Sequence, residues 1–192
     1  MVSAISYGPG VPDDGDLRLC GDVNGKRVIE LGGTANAIAF AERGARAMAA
    51  ATAEQVEEGR EQAEQAGVRV EFHPGDVADL GFATSASVEL VFSTALAGVD
   101  DLARVLRQAH RVLRPETSLV FAVPHPMAAM LEGGEIVLRR GYGSGTRTTS
   151  DYFMAVMRAS FRVDVMAEPH PIGQPGALVP SALVMRAKKL GV

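Results

Sequence analysis

The sequence predicts a doubly wound α/β fold: an open, mostly parallel sheet with helices on both faces. Short apolar runs and helical stretches alternate from Arg27 onward, and such alternation implies parallel strands joined by right-handed crossovers. The first apolar run ends in Gly32-Gly33 and opens directly into a helical pattern, the strand–turn–helix start of such folds. Of the 192 residues, 47% are apolar and 22% charged, a composition that suits one globular domain with a substantial core.

Each element has its own signal. Residues 1–26 hold Gly8, Pro9, Gly10, Pro12, Gly15, Gly21 and Gly25. They read as an N-terminal arm of turns, with one short helix near 14–19. The domain proper covers 27–192, with a first strand at 27–31 and a helix at 35–43 that Gly44 stops. A second strand at 45–51 rests on its position, because its alanines prefer helix. A Glu/Gln-rich helix spans 53–66 and closes at Gly67. Strands follow at 68–72 and 88–92, the latter a short apolar run of the buried parallel kind. Asp100 or Asp101 caps a helix at 102–113, whose apolar stripe is Leu102, Val105, Leu106, Ala109, Val112 and Leu113. Residues 118–123 form the fifth strand. Residues 124–150 are a Gly/Pro-rich variable cap, long enough to imply a role in binding. A helix at 151–159 and strands at 161–166 and 181–187 complete the chain.

Bulk properties exclude several functions. The net charge of −4 argues against a nucleic-acid binder with a broad basic face, although Arg139, Arg140 and Arg147 could form a small patch. The single cysteine, Cys20, permits no internal disulfide and no cysteine zinc site. The N-terminus lacks a signal-peptide pattern, and no apolar stretch reaches the ~18–20 residues that span a bilayer. The expected compartment is the cytoplasm.

Ligands of such sheets bind beyond the carboxyl ends of the strands, at the switch point beside the first strand. There Val28-Ile29-Glu30-Leu31-Gly32-Gly33-Thr34-Ala35-Asn36 joins strand, glycines and helix N-terminus. Glycine lets a ligand approach the backbone, and free N–H groups favour anions. No further glycine follows before Gly44, so this is not the dinucleotide fingerprint. A nicotinamide oxidoreductase is disfavoured accordingly.

Together with 41–45 (AERGA), 75–80 (GDVADL), 88–93 (VELVFS) and 110–115 (HRVLRP), this stretch resembles class I S-adenosylmethionine-dependent methyltransferases of the bacterial type-11 group. The likeness covers roughly residues 26–126. It implies a Rossmann-like, seven-stranded sheet in the order 3-2-1-4-5-7-6 with a final antiparallel strand. It also implies S-adenosylmethionine as cofactor and a small molecule as methyl acceptor.

By the same resemblance, Glu30 is the acid near the cofactor's amino group. Gly32 and Gly33 pass under its methionine part, and Asn36 is a further cofactor-binding residue. Asp76 and Val77 meet the adenine, and Ser93 and Thr94 lie near the transferring methyl. Ala51 stands where the family has a ribose-gripping acid, and the glycine loop is about two residues shorter than the family's. These departures leave a second reading open: a degenerate methyltransferase fold acting as a binding or structural protein.

Three histidines precede proline: His73, His125 and His170. Residues before proline are held extended, so strand-ending turns explain them. The third and fifth strands lie ~19 Å apart in the family's order, at ~4.8 Å per spacing, so His73 and His125 cannot share a metal, and no metal site is expected. His125, after the fifth strand, is the candidate general base for an acceptor that must lose a proton. Tyr7 either folds over the cofactor or anchors the arm.

Overall fold

The computed structural model describes residues 2–132, 135–138, 141–174 and 177–191; Arg139 and Arg140 fall outside them. The central sheet contains β1 (Arg27–Leu31), β2 (Arg46–Ala51), β3 (Val70–Pro74), β4 (Val88–Ser93), β5 (Leu113–Pro124), β8 (Phe161–Ala167) and β9 (Ala182–Lys189). Their order is β3-β2-β1-β4-β5-β9-β8. All neighbours pair in parallel up to β5; β9 runs antiparallel to both β5 and β8. The expected Rossmann-like sheet and its one reversed strand are therefore present. The helices are α1 (Asp14–Leu17), α2 (Ala35–Glu42), α3 (Ala53–Ala66), α4 (Leu102–Val112) and α5 (Thr149–Arg158). Within the cap, Leu131–Glu132 (β6) and Glu135–Leu138 (β7) form a short hairpin. No helix among the described residues is long and apolar enough to cross a membrane.

Strand alternation divides the core into two layers. Ile29, Leu31, Met48, Val91 and Phe121 face α4 and α5 through Leu102, Val105, Tyr152 and Val156. Val28, Ala47, Ala49, Leu90 and Phe92 face α2 and the arm. Here Tyr7 and Phe40 both pack on Phe92, with ring centroids 5.5 Å away in each case. Tyr7 is thus the arm's anchor. Burial raises the pKa of its hydroxyl, which donates to Asp14. The alanines of β2 are strand despite their helix preference. Ladders on both sides, to β1 and β3, satisfy their backbone, and tertiary pairing outweighs propensities of a few tenths of a kcal/mol per residue.

Among the boundaries that differ from the sequence expectation, two strand starts have a clear local reason. β3 starts at Val70, because the Val68 N–H donates to Ala63 O and helps close α3. Gly67, at φ 68°, provides the left-handed residue this helix ending needs. β5 starts at Leu113, five residues early. Val88 pairs with Leu113 and Leu90 with Ser118, so residues 114–117 loop out of register around Glu116 at φ 62°.

Candidate functional site

The carboxyl edge of the sheet brings together most residues marked by the sequence. The turn after β1 is governed by Glu30. Its side chain is 2% exposed and points back under the start of α2. Its Oε2 accepts the Ala37 N–H at 2.6 Å, and its Oε1 accepts Asn36 Nδ2 at 3.1 Å. Thr34, at the N-cap position, makes no side-chain cap bond, so Glu30 caps α2 from seven residues upstream. Burial pushes its pKa up to about 7, against the pull of the Ala37 and Asn36 donors. Asn36 is also fixed, its Oδ1 accepting the Ser6 N–H at 2.7 Å.

Both glycines of the turn are packed by the chain itself. Gly32 has φ 81°, and a Cβ there would lie 2.3 Å from the Ala95 methyl. A Cβ on Gly33 would lie 2.7 Å from Glu30 Oε1. Ser93 is fully buried and ties the ends of β1 and β4 together: its hydroxyl donates to Leu31 O at 2.8 Å and accepts Ala95 N–H at 3.1 Å. Thr94 beside it is half-buried.

Three cavities follow one another along the edge. The first, about 230 Å³, is lined by Ala50, His73, Gly75, Asp76 and Phe82, among others. His73 stacks face to face on Phe82, with ring centroids 3.6 Å apart and planes 7° from parallel. His73 Nε2 comes 2.9 Å from a Glu71 oxygen, but off the line of a hydrogen bond. Asp76 uses Oδ1 to accept the Ala78 N–H and turns its exposed Oδ2 toward Arg104, 3.8 Å away. The second cavity, about 390 Å³, is shared by Asp76, Val77, Gly98, Val99, Asp100 and Arg104. The third, about 790 Å³, is bounded by Gly98, Val99, Asp100, Pro124, Pro126, Arg147 and Tyr152, with neighbours in the cap.

The alanine that lines the first cavity is Ala50. Ala51, one residue on, points to the opposite face as strand alternation requires, and its carbonyl accepts the Gly75 N–H. Neither side chain offers a hydrogen-bond acceptor.

His125 is 2% exposed, and both of its ring nitrogens are engaged. Nδ1 accepts the Met127 N–H at 3.2 Å, which leaves the proton on Nε2, 2.9 Å from Glu168 Oε1. In this arrangement both ring nitrogens face partners that hold the turn after β5. His110 packs edge-on against Phe161. Among the described residues, no group of three or more His, Cys, Asp or Glu side chains is placed to hold a metal ion.

Sequence reasoning named Arg147 only as part of a basic patch and missed that its guanidinium donates to the carbonyls of Leu96, Val99 and Asp100. It also missed Glu168, 43 residues from its histidine. No local periodicity marks either contact.

Residues 29–121 match the family model of the methyltransferase domain. No curated protein matches the chain. Among solved structures, one similar chain is a Listeria monocytogenes protein assigned as an S-adenosylmethionine-dependent methyltransferase. It has 18% identity and a TM-score of 0.76, covering 91% of this chain and 96% of that one. An S-adenosylmethionine-dependent methyltransferase from Mesorhizobium loti has 21% identity and a TM-score of 0.71, with 90% and 95% covered. Geranyl diphosphate C-methyltransferase from Streptomyces coelicolor A3(2), in complex with Mg2+, geranyl diphosphate and S-adenosyl-L-homocysteine, has 13% identity and a TM-score of 0.67, with 91% and 78% covered.

Proposed function

We propose, on the premise that residues 29–121 form a methyltransferase domain of the class I, type-11 kind, that this protein transfers a methyl group from S-adenosylmethionine to a small, uncharged molecule. One observation carries the reading. The three cavities adjoin one another along the carboxyl edge of the sheet, the first two sharing Asp76 and the last two sharing Gly98, Val99 and Asp100. Cofactor at one end and acceptor at the other is the arrangement that methyl transfer requires, since the protein contributes chiefly proximity and orientation. Bound S-adenosylmethionine would supply the electrophilic methyl.

The residues fit that cofactor unevenly. Asp76, Val77 and the His73–Phe82 pair suit the adenine end: a carboxylate for an exocyclic amine, and flat surfaces for a ring. The packed turn at Gly32 and Gly33 offers no comparable cradle for the methionine end, and Ala50 and Ala51 offer the ribose no acceptor.

The acceptor's character follows from the largest cavity. Among the described residues its one lining cation is Arg147, which is bound to three carbonyls. Pro124, Pro126, Val99 and Tyr152 form much of the remaining wall. Such a lining favours a neutral acceptor over a phosphate or carboxylate, unlike the geranyl diphosphate held by the Streptomyces coelicolor enzyme. With His125 engaged, an acceptor that reacts without prior loss of a proton to a protein base fits best.

Calorimetric titration with S-adenosylmethionine and S-adenosylhomocysteine tests the proposal. Binding at or below about 100 μM, roughly −5.5 kcal/mol, supports it and justifies a screen of neutral acceptors with labelled methyl donor. A folded protein that gives no heat at millimolar ligand refutes it. That result would favour the second reading, a methyltransferase fold retained for binding, for which the packed glycine turn speaks.

A further inference from the structure

We infer that this edge recognises the nucleoside part of its ligand and is indifferent to the amino-acid tail, so that a nucleoside thioether lacking the tail binds as tightly as S-adenosylhomocysteine. The inference rests on reading the edge as an S-adenosyl site. It adds which part of that molecule the chain recognises.

An amino-acid tail carries a carboxylate and an ammonium, and each needs a partner. The carboxylate would seek N–H donors at the start of α2, where backbone N–H groups and the helix dipole favour an anion. The Ala37 N–H and Asn36 Nδ2 already hold the Glu30 carboxylate. Asn36 cannot turn outward without releasing Ser6. A second carboxylate competing for these two donors would displace the Glu30 bonds. The ammonium would seek Glu30 itself, but that side chain is 2% exposed, with each oxygen engaged by a donor.

Space gives the same answer. The volume that a glycine turn can leave for a ligand is taken at Gly32 by Ala95 and at Gly33 by Glu30. None of the three edge cavities is lined by any residue from 30 to 36. In the first cavity, His73, Asp76 and Phe82 supply polar and aromatic groups suited to a base.

The test is calorimetric titration of the intact chain with adenosine, 5′-deoxy-5′-methylthioadenosine and S-adenosylhomocysteine. The expected result is a dissociation constant for S-adenosylhomocysteine within about threefold of that for methylthioadenosine, or weaker, a gap under about 0.7 kcal/mol. S-adenosylhomocysteine binding more than about tenfold tighter would overturn the inference while leaving the methyltransferase reading intact, since the tail would then contribute over about 1.4 kcal/mol. If none of the three binds at millimolar concentration, both fall together.

Discussion

Gly32→Ala probes the packed turn most directly. At φ 81° an alanine would adopt the left-handed region, at a cost of about 1–2 kcal/mol. Its methyl would also lie 2.3 Å from the Ala95 methyl, where carbon atoms normally stand about 3.5–4 Å apart. Relieving that overlap moves the end of β4, which Ser93 ties to Leu31, and overpacking of this kind costs about 1–3 kcal/mol. The substitution should therefore destabilise the fold by about 2–5 kcal/mol. Urea denaturation followed by circular dichroism, with unchanged slope, measures it. Ala95→Gly removes the opposing methyl and by itself should cost under about 1 kcal/mol. In the double variant the overlap vanishes while the backbone strain remains, so the pair should couple favourably by about 1–3 kcal/mol. If the two losses simply add, Ala95 does not fill the space over Gly32, and the packing argument against a tail site fails with it.

Three further expectations concern neighbouring residues. Burial pushes Glu30 from 4.5 up to about 7, so the folded chain holds this proton more tightly than the unfolded chain; the associated stability is full below about 4.5 and lost as pH rises toward 7. Between pH 5 and 8 the wild type should lose about 2–3 kcal/mol relative to Glu30→Gln, and a difference in urea midpoint that ignores pH would contradict the buried setting. Ala50→Asp adds an acceptor in the first cavity and should tighten adenosine about ten- to a hundredfold while leaving 2′-deoxyadenosine behind, whereas Ala51→Asp should not. Equal behaviour of the two variants in calorimetry would mean that the ribose does not pass Ala50. Arg147→Ala removes the guanidinium that joins the cap to the carbonyls of Leu96, Val99 and Asp100; residues 141–148 should then exchange amide hydrogens at least about tenfold faster, as expected on losing a charged hydrogen-bond donor. Unchanged exchange would show that the cap is held by other contacts.

The packed turn joins the two readings of function. The short turn after β1 leaves α2 to be capped from within, and Glu30 does so. The same carboxylate that stabilises the helix start occupies the Ala37 N–H and Asn36 Nδ2 donors.

What the sequence determined by itself was local and periodic. The apolar run of β1, the apolar stripe of α4 and a cap at Asp100 or Asp101 follow from side-chain spacing and from groups within one helical turn. The alternation of elements fixed the parallel sheet, and the resemblance added its strand order. Tertiary structure alone decided which residues of that edge remain available. Glu30 and Ser93 lie where expected, yet their oxygens bond to the chain itself. The inward alanine is Ala50 rather than Ala51, because one residue reverses the facing of a strand. His125 meets Glu168 across 43 residues, and Arg147 meets Leu96 across 51. Short-range spacing carries no trace of such partners; they exist only once the sheet has brought its strand ends together.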